Sequence, residues 1–223
     1  MKNKILVVVA HPDDEVLGVG GTILKHISRG DAVSILIMGD GELSRESGAD
    51  VKKRENQARA IADLLGVENL FLEKFPDNQS DTIPLLSLTK KVGEIIEKIQ
   101  PATIYTHHAH DLNIDHRLTC QAVLTACRPQ PSFCVKQILS FEVLSSTEWQ
   151  LKEEGHVFLP TYYQDITEFI DKKIEILKVY SGELKDYPHP RSVDGVRILA
   201  QYRGMEVGFA YAEAFQAVRL LID

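Results

Sequence analysis

The chain has 223 residues, of which 44% are hydrophobic, and this suits one domain of ordinary size with a real core. Its formal net charge of −7 argues against nucleic acid or an anionic membrane surface as the main partner, because those surfaces are bound through clustered Lys and Arg. The apolar runs are too short for a signal peptide or a membrane span. We therefore expect a cytoplasmic protein without an integral membrane segment.

The chain has three cysteines, Cys120, Cys127 and Cys134, which cannot all pair with one another. Cys120 and Cys127 are seven residues apart in a predicted helix and so share one face. We interpret the cysteines as buried free thiols rather than as metal ligands.

The first predicted element is a strand that ends in a polar cluster. The aliphatic run at residues 5–9 is typical of a central parallel strand that is covered on both faces. His11-Pro-Asp-Asp-Glu15 follows at once, and Pro12 prevents the strand from continuing. In an open α/β sheet, ligands bind at the carboxyl ends of the strands, so this cluster is expected at such an edge. The glycines within residues 18–21 predict a turn, followed by a helix at 22–29.

Strands and helices alternate along the rest of the chain. We predict further strands at residues 32–38, 69–72, 102–106 and 136–143, and further helices at 51–65, 85–99, 118–127 and 165–180. A polar loop at 39–50 is long enough to suggest a functional role. The alternation predicts an α/β, Rossmann-like three-layer fold with a mostly parallel sheet and helices on both faces.

A second polar cluster follows the strand at 102–106, just as His11 follows the first strand. It runs from His107 through His110 and Asp111 to His116 and Arg117. Neighbouring strands would bring both clusters to one edge of the sheet. A catalytic zinc site needs three His, Asp or Glu ligands and one open position, and His11, Asp14 and His116 can supply them. Solvated loop charges are the alternative, but two dense clusters at strand ends favour a site with one zinc ion per chain.

The two clusters carry a family resemblance. Ala10-His-Pro-Asp-Asp-Glu15 together with Asp111-Leu-Asn-Ile-Asp-His-Arg117 resembles the PIG-L or LmbE-like zinc-dependent de-N-acetylases, in a bacterial branch. The likeness continues to Tyr211-Ala-Glu-Ala-Phe215. It implies a Rossmann-like fold and hydrolysis of the acetamide of an N-acetylglucosamine-type amino sugar, with zinc on His11, Asp14 and His116. It also makes a homo-oligomer plausible. We expect residues 1–223 to form a single domain whose part from about 145 to 223 completes the substrate cleft.

The chemistry of amide hydrolysis suggests further roles. Water must be activated at neutral pH, and zinc lowers the pKa of a bound water to about 7. Adjacent residues on a turn point differently, so Asp13 can act as general base while Asp14 binds the metal, which is also the role that the resemblance implies. Glu15 either supports the metal site or caps the following helix. Asp115 either orients a ring nitrogen of His11 or His116 or is a helix N-cap.

The general acid is less well defined, because the chain departs from the family pattern. Many members read His-Pro-Asp-His where this chain has Asn113-Ile-Asp-His116. Asn113 can donate a hydrogen bond in catalysis but cannot protonate a leaving amine. His189, between two prolines, is one replacement, and His108 and His110 are others. Asp13 can alternatively serve as both base and acid.

Two arginines are candidates for binding substrate. Arg54 and Arg191 can hold substrate oxygens or a phosphate through a bidentate contact, although salt-bridged arginines are commoner. The form of the amino sugar, whether free, nucleotide-linked, lipid-linked or antibiotic-linked, is left open.

Two other classes of function compete with the hydrolase. A dinucleotide-binding protein would need bare backbone amides after the first strand, and the acids at 13–15 would repel a pyrophosphate there. A non-catalytic metal-binding or glycan-binding module on the same fold is favoured only by the asparagine at position 113.

Overall fold

The computed structural model describes residues 2–41, 51–130 and 135–222. In these ranges seven strands form one sheet in the order β3-β2-β1-β4-β5-β7-β6. Strands β1 to β5 run parallel to one another, and β7 is antiparallel to both β5 and β6. The strands are β1 (Lys4–Val9), β2 (Ala32–Gly39), β3 (Asn69–Phe75), β4 (Thr103–His107), β5 (Gln137–Phe141), β6 (Tyr162–Asp165) and β7 (Ala212–Leu220).

Helices cover both faces of the sheet, because alternate side chains of a strand point to opposite sides. Ile5, Val7 and Val9 of β1 pack in a core with α1, α2, α5 and α6, while Leu6 and Val8 pack in a second core with α3 and α4. The predicted three-layer, mostly parallel α/β fold is confirmed. The helices are α1 (Asp14–Ser28), α2 (Val51–Leu65), α3 (Leu85–Ile99), α4 (Ile114–Ala126), α5 (Ile170–Leu177) and α6 (Val193–Met205).

The prediction of a glycine turn before the first helix is wrong. Helix α1 begins at Asp14, and its glycines lie inside it. A Cβ atom at Gly18 would lie 2.2 Å from Cδ2 of Phe141, and one at Gly21 would lie 2.8 Å from Cγ2 of Ile166. These glycines therefore allow close packing of the helix against its neighbours rather than a change of chain direction.

Other elements also differ from the predictions. Helix α4 begins at Ile114, one turn earlier than expected, because Asn113 caps it. Asp165 ends β6 and does not begin a helix; its side chain accepts hydrogen bonds from the backbone and hydroxyl of Thr167, and α5 starts only at Ile170. Strand β7 was not predicted, since it pairs antiparallel with strands far away in sequence.

Some sequence predictions concern residues outside the described ranges. These are most of the polar loop at 39–50 and Cys134. Cys120 is a buried free thiol, as predicted, and Cys127 is buried as well. Within the described residues, no helix is both long enough and apolar enough to cross a membrane.

Substitution of Gly18 by Ala should destabilise the fold, because the new methyl group must displace the fully buried ring of Phe141. We expect a loss of about 1–3 kcal/mol in the free energy of unfolding. Gly93→Ala is the matched control, since a Cβ atom at this position of α3 meets no other described atom within 4 Å. It should stabilise the protein by about 0.4–1 kcal/mol. Urea unfolding of both variants tests the prediction, and equal stabilities would contradict it.

Candidate active site

The two polar clusters meet at the carboxyl ends of adjacent strands. β1 pairs with β4 on one side and with β2 on the other, so the strand order reverses at β1 and leaves a crevice there. The backbone N–H of Ala10 donates to Nε2 of His107 over 2.9 Å, which joins the two strand ends directly. The predicted juxtaposition of the clusters is therefore present.

A donor set suited to a metal ion lies at this junction. His11, Asp14 and His116 each offer one ligand atom, all within 4.8 Å of one another. Asp14 Oδ2 lies 3.4 Å from both His11 Nδ1 and His116 Nε2. Among the described residues, Asp14 Oδ1 and His116 Nε2 have no hydrogen-bond partner although both are buried. Buried polar atoms are rarely left unpaired, and two imidazoles with one carboxylate are ligands that zinc favours, so the residues fit a zinc ion.

The electrostatics of this donor set favour positive charge. Burial opposes the charged form of His116, but Asp14 and Asp111 outweigh that effect and raise its pKa to about 9. His11 is likewise buried, and Asp115, Asp14 and Asp77 raise its pKa well above the usual value. For Asp14, burial is outweighed by the neighbouring His116, and its pKa falls well below the usual value. A proton is held where a metal cation would fit.

His107 belongs to the same cluster but is unsuited as a ligand. Its Nε2 lies 3.4 Å from Asp14 Oδ2 but already accepts the hydrogen bond from Ala10. Its ring stacks on that of His116, with centroids 3.9 Å apart. Burial, together with the nearby His116, lowers the pKa of His107 to about 3, so the ring is neutral. We interpret His107 as a support for the ring of His116.

Acidic residues behind the ligands orient the imidazole rings. His11 Nε2 donates to Asp115 Oδ2 over 2.9 Å and lies 3.1 Å from Asp77 Oδ1, which leaves Nδ1 directed toward Asp14. Asp115 also accepts backbone hydrogen bonds from Asn78 and Ser80, at 2.7 and 3.0 Å. Of its two predicted roles, the structure supports orientation of His11. The N-cap interpretation is wrong, because Asn113 is the N-cap of α4.

Asp111 plays the corresponding part for the other histidine. Its Oδ1 lies 3.1 Å from His116 Nδ1. The hydroxyl groups of Ser146 and Thr147 donate to the Asp111 carboxylate. Although Asp111 is buried, these contacts, with that of His116 first, lower its pKa. Both imidazole ligands are thus held by a carboxylate on the side away from Asp14.

Asp13 has an unusual backbone that its neighbours hold in place. Its φ of 123° lies in the region that L-residues rarely adopt. Glu15 Oε2 accepts the hydrogen bond of the Asp13 N–H over 2.9 Å, and Glu15 Oε1 accepts from the hydroxyl of Tyr180, also over 2.9 Å. Burial raises the pKa of Glu15 to about 7. Glu15 thus contacts the N-cap residue of α1 and fixes the turn between Asp13 and Asp14.

The side chain of Asp13 faces a polar pocket of about 450 Å³ beside the donor set. Asp13 Oδ2 lies 3.1 Å from Arg191 Nη1 and 3.9 Å from Arg54 Nη2. Glu183 contacts both arginines, at 3.5 and 3.3 Å. Burial raises the pKa of Asp13 to about 6, against the opposing effect of the two arginines. The pocket is lined by His11, Asp13, Gly41, Arg54, Asp77, Asn78, Asn113, Glu183 and Arg191.

The three histidines considered as general acids are not among the described residues that line this pocket. His189 Nδ1 accepts the hydrogen bond of the Arg191 N–H, and the ring packs edge-on against Trp149. His108 Nε2 donates to the carbonyl oxygen of His156 over 2.8 Å. His110 is exposed and stacks on the ring of His156. Among the described residues, these three side chains therefore do not line the pocket that contains Asp13, and the identity of the general acid stays a prediction.

Four residues near the site were not among the predicted site residues: Asp77, His107, Asp111 and Glu183. Asp77 follows β3 directly, and His107 and Asp111 stand at the end of β4 and in the loop after it, so the strand-end argument extends to all three. Glu183 lies in an irregular segment between α5 and α6, and no pattern in the sequence marked it.

Comparison with known proteins decides the family. The PIG-L model, described as GlcNAc-PI de-N-acetylase, matches residues 6–127, which is more than half of the chain. The chain belongs to this family. All three residues of the donor set and Asp13 lie inside the matched range. The predicted family is confirmed, and with it the predicted enzyme class, an amide hydrolase of the carbohydrate deacetylase type.

Curated relatives agree with this assignment, and a solved structure shares the fold. Diacetylchitobiose deacetylase of Thermococcus kodakarensis is 24% identical over 96% of this chain and 83% of its own length. The probable N-acetyl-alpha-D-glucosaminyl L-malate deacetylase 2 of Bacillus cereus is 24% identical over 82% of this chain and 84% of its own. The crystal structure of 4-carboxy-2-hydroxymuconate hydratase from Pseudomonas putida has a TM-score of 0.78 at 22% identity, covering 100% of this chain and 98% of that one. The last likeness concerns the fold alone, since one fold supports several reactions.

The two neighbouring histidines give a test of the ligand set. His116→Gln should abolish stoichiometric zinc binding, because it removes a ligand, whereas His107→Gln should keep about one zinc per chain because a glutamine oxygen can still accept from the Ala10 N–H. Metal analysis after dialysis against zinc, with circular dichroism to check folding, measures both. Loss of zinc from His107→Gln with retention in His116→Gln would reverse the assignment.

Proposed function

We propose that the protein is a zinc-dependent deacetylase that removes the N-acetyl group from an N-acetylglucosamine-type amino sugar or its conjugate. The observation that carries the proposal is the buried donor set of His11, Asp14 and His116, with unpaired atoms, at the edge of a pocket that also contains Asp13. The names of the curated relatives support the same substrate class.

His11, Asp14 and His116 would hold one zinc ion. When bound, zinc supplies Lewis-acid polarisation of the acetamide carbonyl and makes water nucleophilic near neutral pH. Asp115 and Asp111 orient the two imidazoles for this task from the far side of each ring.

Asp13 is the proposed general base. Its carboxylate lines the pocket one residue away from a ligand, and Arg191 fixes Oδ2 over 3.1 Å. Asp13 would take the proton of the attacking water. Because no histidine other than His11 is among the described lining residues, we assign the protonation of the leaving amine to Asp13 as well. This was one of the alternatives that the sequence left open.

Asn113 has a supporting part in this proposal. Its Oδ1 accepts from the Asp115 N–H and its Nδ2 donates to Asn78 Oδ1 over 3.0 Å. The amide nitrogen carries a second hydrogen, which can be donated to a substrate oxygen in the pocket. Arg54 and Arg191 are salt-bridged as well as pocket-lining, and we propose that they combine orientation of Asp13 with binding of sugar oxygens.

The C-terminal part of the chain contributes Glu183 and Arg191 to the pocket, which supports the proposal that it completes the cleft of a single domain. A cytoplasmic location and self-association stay predictions from the sequence. A dinucleotide-binding role is disfavoured because Asp13, Asp14 and Glu15 fill the turn after β1.

A panel of substrates tests the proposed function. The purified protein loaded with zinc should release acetate from at least one N-acetylglucosamine compound, tested as the free sugar, the chitobiose disaccharide, a malate conjugate and a nucleotide-linked sugar. Removal of the metal by a chelator should abolish the release, and zinc should restore it. Bound zinc without acetate release from any compound would favour a non-catalytic binding module.

The variant Asp13→Asn tests the base. It should bind zinc as the wild type does, because Asp13 is not in the donor set, and should lower kcat by about 10²–10⁴-fold through loss of proton transfer. The change is nearly isosteric, so folding should be unaffected. Near wild-type turnover in this variant would disprove the assignment of Asp13 as the base. Loss of zinc would show that the substitution had changed the conformation of the turn that carries Asp14, and not only proton transfer.

A further inference from the structure

A buried ion pair, formed by residues of two distant elements, contacts the backbone of helix α1. Glu213 of β7 accepts hydrogen bonds from the backbone N–H groups of Gly21 and Thr22, at 2.8 and 2.7 Å. Lys173 of α5 donates to the carbonyl oxygen of Leu17 over 2.8 Å and to Glu213 Oε1 over 2.7 Å. Both charged side chains are 5% exposed.

These contacts involve two backbone N–H groups and one backbone carbonyl oxygen within about one turn of the helix. In a regular α-helix the N–H of Gly21 would donate to the carbonyl oxygen of Leu17, and that of Thr22 to Gly18. Here Glu213 contacts both N–H groups and Lys173 contacts the carbonyl oxygen. The ion pair therefore contacts backbone groups of α1 directly after its first turn.

The glycines of this stretch serve the packing of apolar neighbours around the same contact. A Cβ atom at Gly18 or Gly21 would collide with Phe141 or Ile166, at 2.2 and 2.8 Å, whereas one at Gly20 would lie at an ordinary 3.5 Å from Cγ of Lys173. This packing explains why a segment that looks like a turn in the sequence is a helix in the structure.

The first turn of α1 is the part that carries the proposed chemistry. The N–H of Leu17 donates to the carbonyl oxygen of Asp13 over 2.9 Å, while the carbonyl oxygen of the same Leu17 accepts from Lys173. One residue therefore connects the ion pair to the turn in which Asp13 has its unusual φ and from which Asp14 points to His11 and His116.

We propose that Lys173 and Glu213 are positioning residues, which fix the first turn of α1 and thereby hold Asp14 for the metal and Asp13 for the reaction. Neither residue lines the pocket or belongs to the donor set. The kinetic part of this inference rests on the proposed deacetylase function, whereas the metal-binding part can be measured without any turnover.

The double variant Lys173→Met/Glu213→Leu separates positioning from simple stability. Replacing a buried ion pair by apolar residues is often neutral or stabilising, and Leu17, Gly21 and Thr22 belong to a continuous helix whose own hydrogen bonds can satisfy them. We expect the melting temperature to change little while the Kd for zinc rises by at least about tenfold, as for other residues that act behind metal ligands. The Kd is measured by competition with a chromophoric chelator.

Kinetics on an N-acetyl sugar that the wild type hydrolyses complete the test. A misplaced base should lower kcat by about 10²-fold and leave KM close to the wild-type value. The conservative variant Lys173→Arg, which keeps donors for Leu17 and Glu213, should recover most of both properties. Should the double variant not fold, Glu213→Gln keeps the volume and one acceptor oxygen and is expected to show the same changes in smaller degree.

Asp31→Asn is the matched control, because Asp31 pairs with His26 at the opposite end of α1, over 2.8 Å. It should leave the Kd for zinc and kcat unchanged. Wild-type zinc affinity in folded Lys173→Met/Glu213→Leu or Glu213→Gln would overturn the inference, as would an equal loss in Asp31→Asn. If the wild type hydrolyses no sugar, the proposed function fails, and the zinc measurements still decide the role of the ion pair.

Discussion

The buried carboxylate of Asp14 is the constraint on which the site depends. Its side chain is inaccessible to solvent, and three imidazole nitrogens lie 3.4 Å from its Oδ2. An isolated charge in such a place would cost several kcal/mol, so positive charge must accompany it. The raised pKa values of His11 and His116 favour that positive charge. A zinc ion held by His11, Asp14 and His116 would supply it as well.

The sequence predicted the parts of this site that follow from strand ends. It placed both polar clusters at strand ends and expected them at one edge of the sheet if the two strands were neighbours, which β1 and β4 are. It did not predict how the turn after β1 is held, because Glu15, which contacts the Asp13 N–H, is itself held by Tyr180, 165 residues later. The glycines of α1 indicated a turn by their local preference, and packing against Phe141 and Ile166 overrode it.

Charge compensation is local at the donor set and long-range in the pocket. Asp111 and Asp115 lie within five residues of His116 in sequence, so one strand end and one helix start supply the orientation of both imidazoles. Asp13, by contrast, is paired with Arg191, 178 residues away. Glu183 forms ion pairs with both Arg191 and Arg54. Patterns of neighbouring residues can reveal the first arrangement but carry no information on the second.

The pocket combines residues from inside and outside the range that the family model matches. The family match ends at residue 127, and every proposed zinc ligand and the proposed base lie before that point. Glu183 and Arg191 lie after it and narrow the same pocket from a part of the chain that the family model does not cover. The residues proposed for the chemistry therefore lie after β1 and at the starts of α1 and α4. Seven of the nine described lining residues lie inside the matched range, so the later segments add Glu183 and Arg191 to a pocket that is formed mainly by the part that the family model covers.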